Sequence, residues 1–165
     1  MKRKKKYRPR PVLVNPMGYV LEGMAPVVSY GEYLLDLRVK HASALAILAQ
    51  GQAKKDTIDI LIGGANMTQA FLHMEVGTAY ATDIRKGQDA LFTVATRGAK
   101  LGRFVMTGDE MKAINELFEI HDAQLEIATI KDIDRAIEIV KKEHQAQRVR
   151  KIPKVTQQLG GTSDQ

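Results

Sequence analysis

At three places a hydroxyl residue stands three positions before an acid: Ser29 with Glu32, Thr107 with Glu110, and Thr129 with Asp132. Each pair is followed by apolar residues at helical spacing. In such a pair the hydroxyl accepts from the third backbone amide of a helix while the carboxylate reaches back to the first, so both ends of the pair favour a helix start. From the first start, Tyr30, Tyr33, Leu34, Leu37, His41, Ala44, Leu45 and Leu48 recur on one face, and Gly51 supplies a left-handed stop after Gln50. Leu35, Val39, Ala42, Ala46 and Ala49 form a second face, which predicts packing on two neighbours.

The remaining body follows the same period. A helix is expected from about residue 56, with Ile58, Leu61, Ile62, Ala65 and Leu72 on its apolar face and Gly63-Gly64 weakening or bending it. Another is expected over 78–97, stopped by Gly98. From Thr107, the residues Met111, Ile114, Phe118, His121, Leu125 and Ala128 make one seam. Ile130, Ile133, Ile137 and Val140 are out of phase with that seam, so the chain should turn near Thr129 and a last helix should run to about Gln145, folding back on its predecessor. Asn15 and Pro16 suggest a further short helix, halted by Gly23 and Pro26. Only 11–14 and 102–107 read as extended, too little to seed a sheet. The expected fold is all-α, a bundle of four to five helices over residues 15–146, flanked by a disordered basic arm (1–14) and a disordered basic tail (147–165).

Charge is distributed unevenly along this plan. Lys2, Arg3, Lys4, Lys5, Lys6, Arg8 and Arg10 fall within the first ten positions with no acid among them. From His144 onward Arg148, Arg150, Lys151 and Lys154 oppose only Asp164. Between Pro11 and Glu143 stand 14 basic and 18 acidic residues, so arms of +7 and +3 surround a body of −4 within the net +6 of the whole chain. Flexible Lys and Arg neutralise phosphates and gain affinity through counterion release without a fixed fold, which predicts nucleic-acid contact, DNA or RNA, of low sequence specificity. Tyr7 within the arm can stack on a base, although one ring does not make a stacking platform.

Other chemistries are disfavoured by residue type and spacing. The chain has no cysteine, which excludes disulfides and thiolate zinc sites. The residues three before His41, His73, His121 and His144 are Arg38, Ala70, Phe118 and Lys141, so the Glu-x-x-His pairs of carboxylate-bridged metal bundles are missing and the histidines read as core or boundary residues. Ser29, Ser43 and Ser163 are the only serines, the first better used as a cap and the last in the tail. Gly63-Gly64 lacks the lysine and spacing of a phosphate-binding loop, and Asp132 and Asp134 face different sides of a helix. No catalytic residue, metal or cofactor is expected. Asn66, Met67, Thr68 and Gln69, with Ile62 and Ala65 before them and Leu72 after, partly match the turn and recognition-helix start of a helix-turn-helix, which would aim Thr68 and Gln69 at phosphate and base edges. The longest uncharged run, 60–74, is too short to cross a bilayer, and prolines at 9, 11 and 16 break any leader-like segment, so a cytoplasmic protein without a membrane partner is expected.

The segments KRKKKYRPRPVLVNPMGYVLEGMAPV and HDAQLEIATIKDIDRAIEIVKKE resemble parts of small helical proteins encoded by bacterial phages, prophages and plasmids, a group without an assigned activity. The resemblance implies a genetic setting and transfers no functional residues. Together these readings predict a non-enzymatic, nucleic-acid-associated accessory that acts through its arm and self-associates through its bundle. The competing expectation is a helical interaction module, for virion assembly or host-factor binding, in which the arms are incidental.

Overall fold

The computed structural model describes residues 24–26 and 31–152. The arm at 1–14, the expected helix start at Asn15-Pro16, the Ser29 half of the first capping pair and the tail from residue 153 lie outside the described residues. Five α-helices are present among those described: α1 (Gly31–Ala49), α2 (Lys55–His73), α3 (Ala81–Leu101), α4 (Gly108–Ile127) and α5 (Ile130–Gln145), with a 3₁₀ turn (Thr78–Tyr80) leading into α3. The chain is an all-α bundle.

Two capping pairs close as their spacing requires. Glu110 N donates to Thr107 Oγ1 at 3.3 Å and Thr107 N donates to Glu110 Oε2 at 2.8 Å. At the start of α5, Asp132 N donates to Thr129 Oγ1 at 3.2 Å, and Thr129 N donates to Asp132 Oδ2 at 2.9 Å. Substituting such a cap by alanine costs about 1 kcal/mol, so the α4–α5 corner is defined locally before any tertiary contact forms.

Three expectations are corrected, on the end of α3, the second face of α1 and the placement of α5. α3 does not stop at Gly98 but continues to Leu101, where Gly102 takes the left-handed conformation at φ 72°. Gly98 is a packing residue, because a β-carbon there would overlap the Phe104 ring as the connector folds back over the helix end. α2 runs unbroken through Gly63-Gly64, and Gly64 is small because a β-carbon would approach Phe118 Cε1 to 2.6 Å and His41 Nε2 to 3.1 Å. The second apolar face of α1 has no neighbour among the described residues: Leu35 is 61% exposed, and Val39, Ala42, Ala46 and Ala49 are also exposed. Finally, α5 lies mainly on α2 rather than on its predecessor α4.

That last placement makes α2 the central element, in contact with all four other helices. Leu61 and Phe71 are fully buried on it. One core layer joins α1, α2, α3 and α4 through Leu48, Leu61, Ile84, Val94, Ile114 and Leu117. A second gathers Leu34, Phe71, Leu125 and Ala136 beneath α5. Residues 147–152, placed in the tail on composition, are not free of the bundle. Ile152 packs on the first core layer, Arg150 pairs with Asp89 at 2.5 Å and lies over the Phe92 ring, and Arg148 makes a two-pronged pair with Glu143. Arg148 and Arg150 thus find acids on the helices.

At the opposite end of the bundle, Ile130 N donates to Ala25 O at 3.0 Å and Pro26 forms an isolated antiparallel bridge with Thr129. The chain thus enters the bundle beside the α4–α5 corner.

Candidate functional site

Thr68 and Gln69 do not form a recognition-helix start. The turn that such a motif needs at Asn66 is replaced by continuous helix, and Thr68 is 0% exposed. The Thr68 hydroxyl donates to Gly64 O at 3.0 Å, a bond back along the helix that a threonine makes when its side chain has no solvent. It also lies 3.0 Å from His121 Nδ1. With the hydroxyl proton on the Gly64 carbonyl, a neutral His121 carries its proton on Nδ1 and donates to the Thr68 oxygen. Gln69 is half-buried and turns into an interhelical cleft instead of outward.

His121 and His41 form a buried aromatic layer with Phe118 and Phe71. The two imidazole centroids are 5.2 Å apart, and Phe118 stands edge-on to His121 at 6.2 Å. Burial, then the neighbouring His41, push the His121 pKa down to about 3, and burial followed by Lys40 lowers that of His41. Both rings are neutral at physiological pH and occupy core positions, so the seam on which the sequence placed them is a packing seam. Among the described residues no group of three His, Asp or Glu side chains is arranged to hold a metal ion.

Of the clefts with polar side chains at their walls, two lie away from the His41–His121 layer and from the Arg97 side of α3. The first, of about 290 Å³, lies between α2, α3 and α5 under the 148–152 strap. Asn66, Gln69 and His73 form its polar stripe on α2, facing Phe92 and Val140, while Gln88 closes one wall by donating to Ala65 O at 3.1 Å. The second, of about 320 Å³, runs along α4 beside the 77–80 turn. Its inner wall is Gln124, which is 2% exposed, and its rim carries Glu116, Glu119 and Tyr80. Neither cleft brings together a nucleophile, a base and an orienting acid. The second was not anticipated from sequence, although its signal is there: from Ala113 to Ile130 the chain has four acids and no Lys or Arg.

No protein-family model, curated protein or solved structure is similar to this chain. Function is therefore argued from its own residues. The arm residues Lys2, Arg3, Lys4, Lys5, Lys6, Tyr7, Arg8 and Arg10 lie outside the described residues. What the bundle does place is its own cations, and seven of them stand in ion pairs: Arg38 with Asp122 and Glu126, Lys55 with Asp59, Lys86 with Asp83, Arg97 with Glu110, Lys141 with Glu138, Arg148 with Glu143 and Arg150 with Asp89. The Arg97 pair is the firmest. Both guanidinium nitrogens reach the Glu110 carboxylate, at 2.9 and 2.6 Å, and hold its pKa below the usual range. No helix among the described residues is long and apolar enough to cross a membrane.

Proposed function

We propose that the protein is a non-enzymatic, nucleic-acid-associated accessory or regulatory protein of a phage or mobile element, attached to phosphate through its basic N-terminal arm. The observation that carries this reading is the concentration of seven cations, without one acid, in the first ten residues. The stretch from Pro11 to Glu143 is by contrast net acidic, with 14 cations against 18 acids, and seven of the seventeen cations among the described residues have carboxylate partners that phosphate would have to displace. The arm carries no acid within its own first ten residues. Affinity would come from Lys2, Arg3, Lys4, Lys5, Lys6, Arg8 and Arg10, with Tyr7 stacking on exposed bases and little sequence discrimination.

The test is fluorescence anisotropy with labelled DNA and RNA of arbitrary sequence. The full chain should bind both, and deletion of residues 2–10 should remove binding while leaving the helical circular dichroism unchanged. An inert deletion rejects the proposal.

A second reading, the helical interaction module, is favoured by the unpartnered face of α1, where Leu35 and Val39 are exposed in company with Tyr33 and Ile47. Self-association through that face is compatible with either reading. Light scattering of the full chain beside a Leu35→Glu variant checks it.

A further inference from the structure

The groove along α4 sets acidic rim residues over an apolar floor. Ile120, Ala123 and the 71%-exposed Ile127 provide its apolar floor, and the half-exposed Tyr80 ring stands at one edge. Glu116 and Glu119, three residues apart and hence on one face of the helix, stand at the rim, and neither has an ion-pair partner among the described residues. Gln124 supplies the decisive atom. Its Nε2 donates to Val76 O at 2.8 Å and, more weakly, to Thr68 O at 3.4 Å, which fixes the orientation of the carboxamide. Its Oε1 is then buried with no hydrogen-bond partner. An unpaired buried acceptor costs about 1–3 kcal/mol, and a donor that reached it through the Gln124 wall would recover that interaction. Two carboxylates, a spare carbonyl oxygen and an aromatic face together match a guanidinium or ammonium on an aliphatic stem.

We propose that this groove docks the basic side chains of the chain's own residues 2–10, bound in cis. Charge complementarity is the first argument. The acidic stretch of α4 comprises Glu116, Glu119, Asp122 and Glu126, and Arg38 engages only the last two, leaving the groove pair for the +7 arm. The path of the chain is the second. Ala25 and Pro26 are pinned to Ile130 and Thr129, two to three residues beyond Ile127 at one end of the groove, so the arm is tethered close to it. From there Glu116 lies about 16 Å back along the helix axis. The stretch from residue 24 to residue 10 spans about 45 Å when extended, ample to reach it. A docked arm is withheld from other anions, and the consequence that the groove competes with nucleic acid rests on the function proposed above.

The test is carbodiimide crosslinking of the full chain, which joins a lysine ammonium to a carboxylate in contact, mapped by peptide mass spectrometry. Crosslinks from Lys2, Lys4, Lys5 or Lys6 to Glu116 and Glu119 should dominate within the monomer. They should fall about tenfold near 1 M salt, where screening acts within about 3 Å. Glu116→Gln with Glu119→Gln should remove them, and both residues are exposed, so the double variant keeps its fold. Crosslinks scattered over other acids, unchanged in that variant, or formed between differently labelled copies overturn the proposal. Nucleic-acid binding read on the same samples separates the two ideas. Groove crosslinks in the parent chain with no nucleic-acid binding even in the double variant, whose groove no longer competes, reject only the function proposed above, whereas binding without groove crosslinks rejects only the docking.

Discussion

His121 and Gln124 stand one turn apart on α4, both buried, and they settle their polar atoms differently. His121 gives its Nδ1 to Thr68 and packs its ring among Phe71, Phe118 and His41. Gln124 satisfies its amide nitrogen on the Val76 and Thr68 carbonyls but leaves its oxygen unpaired at a groove wall. The first arrangement fixes the core. The second leaves one buried acceptor unpaired among the described residues, in the wall of a groove whose two rim glutamates have no ion-pair partner there. Burial alone therefore does not separate a structural polar residue from a recognition residue; the count of unpaired atoms does.

The largest effect should come from truncating the His121 layer. His121→Ala removes a ring packed against three others and should cost about 3 kcal/mol in urea unfolding, through the cavity it leaves. Its pH signature is next in size. The folded-state pKa of His121 is depressed to about 3 against 6.5 for the free group, so the unfolded chain takes up the proton first. The stabilising contribution of the neutral ring is complete above about pH 6.5 and declines toward pH 3, with a loss of about 2 kcal/mol by pH 5. His41, whose pKa is lowered as well, acts in the same direction. Urea midpoints at pH 7 and pH 5 measure the loss, and a His121→Phe variant should show a smaller slope than the parent chain.

Gln124→Leu should cost about 1–2 kcal/mol, since two backbone carbonyls lose their donor, and the cost should be independent of pH, in contrast with His121. Thr68→Val should fall in the same range of about 1–2 kcal/mol by depriving His121 of its acceptor. At the small end, Glu116→Gln and Glu119→Gln should change stability by less than about 0.5 kcal/mol, because both side chains are exposed. If these two variants prove as costly as Gln124→Leu, the groove is part of the core and the contrast fails.

Much of the bundle was legible in the residues because its signals are local. The Thr107 and Thr129 caps each need only four residues, and the phase break between the His121 seam and the Ile130 set marked the α4–α5 corner without knowledge of the fold. The misreadings share the opposite property. Gly98 looked like a helix stop because a glycine that ends a helix and one that admits a ring from a returning connector are the same letter, and Phe104 decides between them from outside the helix. The face of α1 bearing Leu35 and Val39 looked buried by periodicity, but periodicity reports which residues share a face and not whether a neighbour covers it. Asn66 to Gln69 looked like a turn until Thr68 found its partner 53 positions away in His121. Glu116 and Glu119 were visible as acids, yet their pairing with a buried, half-satisfied Gln124 depends on where Val76 and Tyr80 come to lie.

The account divides the molecule into a body in which 18 acids outnumber 14 cations and an arm whose seven cations have no acid among them. The most direct test is the salt dependence of nucleic-acid affinity for the full chain and for the chain lacking residues 2–10. With four to six arm cations engaged on duplex DNA, log K against log salt should fall with a slope of about −4 to −5. The deleted chain should show weak binding with a slope near zero. A full-length slope near zero, or a steep slope that survives the deletion, would place the affinity in the bundle and contradict the account.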